Sequence, residues 1–295
     1  VEAHGHRRSG DVVSYAVPVQ PHRWPVFVFP TRNCNYRCSY CYTDSSPERS
    51  AQSFVIDRWE ALLDQLSEAD VPETRISGGE PLAIPAIELL CRAIVERGLS
   101  YTITTNGSLL RRHIGWLRRI PPETLWLSFH REYETVASFS TLVRYAAAQL
   151  PRVGMSVFGS DWHDEFASLG AARIKLLSQS NVGRAQSSSL SVDPPVPIVG
   201  DGVELRIEST ARELGAASCV LRQRPLLSID HDGKVYACCV TLGHAAARLG
   251  DLNRETFAAI VERGVSHQRA LPCAALLPRI ATGNEGCPIR LYAEL

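Results

Sequence analysis

Six short apolar runs, each followed by a polar or amphipathic stretch, constrain this chain more than any other feature. The runs are Val26–Phe29, Thr74–Ser77, Tyr101–Thr105, Thr124–Phe129, Val153–Phe158 and Arg173–Leu177. Between the first two, Phe54–Leu66 places Phe54, Trp59, Leu62, Leu63 and Leu66 near helical spacing. Ile84–Arg97 opens near Pro85 and stops at Gly98, as a helix does. Leu109–Arg118, Val136–Leu150 and a short stretch around His163–Leu169 supply the remaining helices. Strand–helix alternation of this kind predicts a parallel α/β sheet with helical crossovers. Right-handed crossovers curl such a sheet into a barrel or partial barrel. The pattern alone does not exclude a doubly wound open sheet.

The periodicity breaks after the sixth run. Residues 185–202 are dense in serine and proline and read as a linker. Beyond it, Leu226–Ile229 and Val235–Cys239 flank Asp230-His231-Asp232-Gly233, a hairpin with a glycine-bearing turn. Thr256–Arg263 reads as a helix, and the tail from Pro272 shows no clear period. The expected organisation is an irregular arm over 1–20, a partial barrel over 21–185, a linker over 186–204 and a smaller unit over 205–295.

Composition narrows the function classes. In 295 residues, 31 basic side chains balance 31 acidic ones. Zero net charge argues against a broad nucleic-acid or polybasic membrane surface. No apolar run approaches the roughly 20 residues of a membrane span. No secretory signal is recognisable at the start, so a cytoplasmic protein is expected. The nine cysteines are an odd set, too sparse for a disulfide scaffold. They suggest reduced thiols, metal ligands or catalytic thiols.

Cys34, Cys38 and Cys41 form C-x3-C-x2-C directly after the first predicted strand. Cysteine thiolates are the standard ligands of iron–sulfur clusters, and three of them leave one iron of a four-iron cluster open. A zinc site would want a fourth ligand, for which His22 is one source. Spacing alone also leaves room for coincidence.

The surrounding residues resemble the radical S-adenosylmethionine (SAM) superfamily, whose signature is C-x3-C-x-aromatic-C after the first barrel strand. Tyr40 supplies the aromatic. Ser77-Gly78-Gly79-Glu80-Pro81 is similar to the family's GGE motif after the second strand, and Thr104-Thr105-Asn106-Gly107 follows the third. Ser128 ends the fourth strand, where the family often places a ribose contact. Asn181-Val182-Gly183-Arg184-Ala185 is similar to the N-x-G-R-A run after the sixth. The resemblance covers about residues 25–185. It implies a [4Fe-4S] cluster on the cysteine triplet and SAM as the second cofactor. Tyr40, Gly78, Gly79, Glu80, Asn106, Ser128 and Arg184 are then the candidate SAM-site residues. Two glycines permit close backbone approach to the methionine, Glu80 suits its ammonium, and Asn106 and Ser128 suit ribose hydroxyls. Read without the resemblance, the glycine pair and Asn106-Gly107 are ordinary turns.

The C-terminal cysteines resemble the SPASM and twitch domains appended to many such enzymes. Cys219, Gly233 and Cys238 match the opening C-x(9–15)-G-x4-C of those domains. The resemblance implies a small α+β unit with a second [4Fe-4S] cluster, held by Cys219, Cys238, Cys273 and Cys287. Cys273 and Cys287 depart from the usual C-x2-C pair, and a disulfide or zinc knuckle in the tail is the alternative. Cys91 lies among apolar residues and is expected in the core. Cys239 is adjacent to a ligand candidate yet outside the four. If both sat on a strand they would point opposite ways, leaving Cys239 to packing or to hydrogen-atom donation.

The family resemblance implies reductive cleavage of SAM and abstraction of a hydrogen atom by a 5′-deoxyadenosyl radical. An auxiliary cluster beside an extra thiol suits epimerisation, and the size and cysteine set are similar to the aminoglycoside epimerases of antibiotic biosynthesis. A polycationic amino sugar wants carboxylates, and Glu132, Glu134, Asp161, Asp164 and Glu165 follow the fourth and fifth strands, with His130 beside them. A small-molecule substrate and a flavodoxin or ferredoxin as electron donor are the expected partners. A radical SAM dehydrogenase or peptide-modifying oxidase is the alternative. An iron–sulfur or zinc regulatory module is the non-enzymatic one.

Overall fold

The structure, a computed structural model, describes residues 25–49, 56–177, 203–208 and 227–267. The expected arm over 1–20 lies outside the described residues, as does all of the expected linker except its last two positions.

The six expected strands are present as β1 (Val26–Val28), β2 (Glu73–Ile76), β3 (Ser100–Thr105), β4 (Thr124–Ser128), β5 (Val153–Phe158) and β6 (Arg173–Leu177). Each pairs parallel with the next. Between them run α1 (Ile56–Glu68), α2 (Ile87–Glu96), α3 (Leu110–Arg119) and α4 (Val136–Gln149). The expected helix at His163–Leu169 is a 3-10 turn, Asp164–Ser168.

Helical amphipathicity explains the packing. In α1, Trp59, Leu62, Leu63 and Leu66 are buried, whereas Arg58, Glu60 and Asp64 are exposed. Each such burial contributes about 1.5–3 kcal/mol before entropy is charged against it. Ile87, Leu90, Cys91, Ala93 and Ile94 form the inner face of α2, and Cys91 is a core residue as expected. Leu89 departs from that reading, since it is 54% exposed on the outer face. Thr135 caps α4 reciprocally with Ser138, and Phe139 then meets Phe129 and Phe166.

Strand order decides the architecture that the sequence pattern left open. With β7 (Glu204–Glu208), β8 (Ser228–Ile229), β9 (Lys234–Tyr236) and β10 (Arg248–Asp251), the sheet runs β10-β9-β8-β1-β2-β3-β4-β5-β6-β7. From β1 to β7 the order rises by one each time, without the reversal that a doubly wound sheet requires. Successive right-handed crossovers then place their helices on one face. Among the described residues the two edge strands do not pair with each other, so the sheet is a partial barrel rather than a closed one.

Two features cross the expected domain boundary. β7 (Glu204–Glu208) begins inside the expected linker and pairs parallel with β6. Its sequence alternates apolar Val203, Leu205 and Ile207 with charged Glu204, Arg206 and Glu208. That period-two signal was outweighed in the sequence reading by the serines and prolines before it. β8 (Ser228–Ile229) adds parallel to the free edge of β1, then turns antiparallel into β9 (Lys234–Tyr236) and β10 (Arg248–Asp251). The C-terminal unit therefore grows from the first strand of the barrel. Its helix α5 (Phe257–His267) lies on β10 and α1, where the Phe257 N–H donates to Gln65 Oε1 at 2.6 Å.

A buried ion pair locks this junction. The Arg32 guanidinium, just beyond β1, donates to both carboxylate oxygens of Asp230 in the β8–β9 turn, at 3.0 and 2.6 Å. The two side chains are 14% and 4% exposed. Burial alone would raise the Asp230 carboxyl. Hydrogen bonds from His231 and Arg32 outweigh it and hold Asp230 well below the usual carboxylate range. No helix among the described residues is long and apolar enough to cross a membrane.

Replacing Asp230→Asn should lower the unfolding free energy by about 3–5 kcal/mol at neutral pH, because Arg32 is left uncompensated. Urea denaturation measures it. The stabilisation belongs to the ionised carboxylate. It is present above the ordinary aspartate range and lost as pH falls below it, so the gap between wild type and variant should close on acidification.

Candidate active site

The C-terminal ends of β1 to β5 carry the loops that assemble the site, as parallel α/β folds do. The first of them holds Cys34, Cys38 and Cys41. Its neck is closed by backbone bonds, Cys34 N–H to Ser46 O and Ser46 N–H to Arg32 O, both 3.2 Å. From below, Gly79 N–H donates to Thr31 O and Glu80 N–H to Asn33 O, both 2.9 Å. This contact explains the glycine pair. A Cβ on Gly78 would stand 2.5 Å from Thr31 O, and one on Gly79 would overlap the Asn33 carbonyl. Gly78 also holds φ at +119°. The glycines therefore let the second loop lie directly against the cysteine loop, a constraint in addition to any approach by SAM.

Glu80 departs from its expected role. The side chain is 1% exposed. Its Oε1 accepts from Leu82 N–H at 2.9 Å and from Thr105 Oγ1 at 2.6 Å, and its Oε2 accepts from Asn106 N–H at 2.8 Å. Burial raises its pKa to about 6 against the lowering effect of these bonds. The carboxylate knots the loops after β2 and β3 and is not presented to an ammonium. Asn106 is similarly engaged. Its Nδ2 donates to Asn35 Oδ1 at 2.9 Å, and its Oδ1 accepts from Ser108 N–H and Oγ. Asn35 in turn donates to Ser108 Oγ, so the third loop braces the first.

The loop after β4 closes the other side. His130 Nδ1 lies 3.5 Å from Cys38 Sγ and 3.2 Å from Tyr40 Oη, and the rings of His130 and Tyr40 stack. Tyr133 stacks on Tyr36 at 4.1 Å, and its hydroxyl accepts from Arg37 N–H at 2.6 Å. Glu132 accepts from Ser39 N–H at 3.0 Å and from Ser39 Oγ. His130 and Glu132, expected near a substrate, therefore support the cysteine loop. Burial pushes the His130 pKa down to about 4, so the ring is neutral at physiological pH. Tyr40 is packed edge-on against Phe158 at 5.1 Å. Ser128 stands half-buried at the end of β4, with no side-chain hydrogen bond among the described residues.

Of the other expected carboxylates, Asp161 Oδ1 takes Arg131 at 2.6 Å and Ser160. Asp164 accepts from Trp162 Nε1 at 3.2 Å, and Glu165 from Ser140 Oγ. Glu134 and Asp161 Oδ2 are different. Both oxygens of Glu134, and Oδ2 of Asp161, are buried and meet no hydrogen-bond partner among the described residues.

The donor set fits an iron–sulfur cluster. Tyr36 N–H donates to Cys34 Sγ and Ser45 N–H to Cys41 Sγ, both 3.4 Å, the bonds that stabilise cluster thiolates. Burial, then the nearness of Cys41 and Cys34, pushes the Cys38 thiol up to about 12. Three crowded, partly buried thiols need a cationic centre to become thiolates together. They are not gathered for one tetrahedral ion, whose sulfurs would stand about 3.8 Å apart. Among the described residues, the group with all ligand atoms within 4.8 Å of one another is Asp230, His231 and Asp232.

The second constellation is described only in part. Arg184, Cys219, Cys273 and Cys287 lie outside the described residues. Cys238 is buried and extended, but Cys239 opens a 3-10 turn, Cys239–Thr241, after β9 has ended at Tyr236. The strand-alternation argument for their opposite directions therefore does not apply. Sequence reasoning missed Arg32, Asn35, Tyr36, Thr105 and Asp230. Each acts through a partner far away in the chain, 198 residues for Arg32 and Asp230, and carries no local signal. Replacing Gly79→Ala should cost the protein most of its triplet-bound iron, measured as iron per chain and by the cluster's electron paramagnetic resonance signal.

Comparison with known proteins agrees with this geometry. The radical SAM superfamily profile matches residues 28–130, and the profile of the SPASM iron–sulfur cluster-binding domain matches residues 219–276, which leaves Cys287 outside it. GTP 3′,8-cyclase of Chlorobaculum tepidum is 38% identical over 86 residues, 28% of this chain and 26% of that one. The shared stretch is thus about a quarter of the relative's length. Streptococcus suis SuiB, solved with its precursor peptide SuiA, superimposes with a TM-score of 0.63 at 15% identity, over 80% of this chain and 64% of that one. BtrN, solved with AdoMet and 2-DOIA, gives 0.54 at 18% identity, over 84% and 86%. At these identities the structural likeness is one of fold. The chain therefore carries a radical SAM superfamily domain followed by a SPASM-type iron–sulfur domain, whose cofactors are [4Fe-4S] clusters and SAM.

Proposed function

We propose that this enzyme inverts a carbon centre of an amino sugar of the aminoglycoside class, with Cys239 as the hydrogen-atom donor. The observation that carries this reading is the placement of Cys239. Burial pushes the Tyr42 hydroxyl up and the nearness of Cys239 adds to it, against the lowering effect of a hydrogen bond with Ser77. The Cys239 side chain is therefore close to a tyrosine that directly follows the last cysteine of the triplet. Cys239 is also partly exposed, unlike Cys238.

When bound, the cofactors supply the electron that cleaves SAM, the radical that takes a hydrogen atom from a substrate C–H bond, and the electron that later restores the thiol. The chain's own part is positional. Arg32 and Asp230 hold the β8–β9 turn against the cysteine loop, and Thr43 O accepts from the same guanidinium. The Cys239 S–H bond breaks as a new C–H bond forms on the opposite face of the substrate carbon. The sulfur radical left behind needs one electron, which a flavodoxin- or ferredoxin-class donor would supply by way of the C-terminal cysteines and their group, and one proton, which comes from solvent. Cys219, Cys238, Cys273 and Cys287 are the proposed ligands there. The Asp161 oxygen without a partner is suited to a substrate ammonium.

The test uses reconstituted, anaerobic enzyme with SAM, a reductant and an aminoglycoside in deuterated water. Wild type should give an inverted product one deuterium heavier. Cys239→Ala should still form 5′-deoxyadenosine but no inverted product. Full inversion by that variant with deuterium still entering would remove the thiol from the mechanism. A product two hydrogens lighter would make the enzyme a dehydrogenase instead.

A further inference from the structure

Glu134 is the buried acid that the fold leaves unanswered. It sits between His130 and the cap of α4, and its N–H donates to His130 O at 3.0 Å. Beside it is Tyr36, two residues beyond Cys34, whose hydroxyl is raised to about 12 by burial and then by the Glu134 charge. Both Glu134 oxygens are buried without a hydrogen-bond partner among the described residues. The arginines of the adjoining loops are committed elsewhere, Arg37 to Glu48 and Arg131 to Asp161. Neighbouring acids are satisfied, Glu80 by three donors and Glu132 by two.

A buried carboxylate with neither cation nor donor is costly, so the group stays protonated until a compensating charge meets it. We propose that Glu134 binds a positively charged centre of a molecule that enters this site, an ammonium or sulfonium carried by SAM or by the amino-sugar substrate. The compensating charge arrives with the ligand, and among the described residues no side chain competes for it. Glu134 thus differs from Glu80, the acid that sequence suggested for this purpose. The inference rests on the radical SAM reading and is independent of whether the product is inverted or oxidised.

Burial raises the Glu134 carboxyl to about 8. The ligand-free fold therefore holds this carboxyl mainly protonated at neutral pH, where the unfolded chain ionises it, and that difference lowers its stability; a cationic ligand draws the proton off, and glutamine removes the cost. The experiment compares reconstituted wild type with Glu134→Gln at one neutral pH. It measures iron content, melting temperature without ligand, and dissociation constants for SAM alone and for 2-deoxystreptamine alone. The variant should keep its iron, melt a few degrees higher and bind at least one of the two cations about tenfold or more weakly. Weakening for SAM only assigns the charge to the cofactor, and weakening for 2-deoxystreptamine only assigns it to the substrate. Unchanged affinity for both overturns the proposal. A lower melting temperature also overturns it, since Glu134 would then be a structural element.

Discussion

The Glu80 carboxylate is the interaction on which the site depends. It is buried at the point where three loops meet, and its two oxygens accept donors from Leu82, Thr105 and Asn106. Its own N–H reaches Asn33, beside the first cysteine. A charged group at this depth is costly unless its hydrogen-bonding capacity is filled by donors already in place. Here the donors are two backbone amides and a hydroxyl at the ends of adjacent strands. Their positions are set by the parallel register of β2 and β3. The cysteine loop rests on this knot through the Gly79 and Glu80 amides.

A second clamp acts from the other side. The C-terminal unit attaches through strand pairing at the β1 edge and through the Arg32–Asp230 pair. Because β1 leads directly into the cysteine loop, whatever holds β8 also holds the mouth of the barrel. Cys238 and Cys239 follow β9 by two residues or three, so the clamp fixes their approach to the triplet. Cys238 and Cys239 are thus joined to the triplet by strand pairing through β8 and β9.

The polar residues around the triplet divide by whether the protein has already satisfied them. Glu132, Asp164, Glu165 and Asn106 are engaged by side chains or amides of their own loops, and their chemistry is structural. Glu134 and one oxygen of Asp161 are buried and unanswered. Residues of the same type at the same strand ends therefore take different roles. The criterion is the count of donors within reach, not the identity of the side chain.

Much of the fold was legible from the chain alone, because hydrophobic periodicity is a local property. The six strands and four crossover helices appear within a few residues of their expected ends, and the cysteine triplet, Gly78, Gly79 and Asn106 lie at the strand ends where motif spacing put them. Local pattern could not settle strand order, the seventh strand at 204–208 or the attachment of β8 to β1, since pairing partners are far apart in sequence. Nor could it decide what each polar group touches. The motifs named Glu80 as a ligand-binding acid, and only the packed structure showed it saturated while Glu134 was not. Motif spacing selects residue types suited to a chemistry. Hydrogen-bond saturation, which needs every neighbour in three dimensions, decides which of them remain available for it.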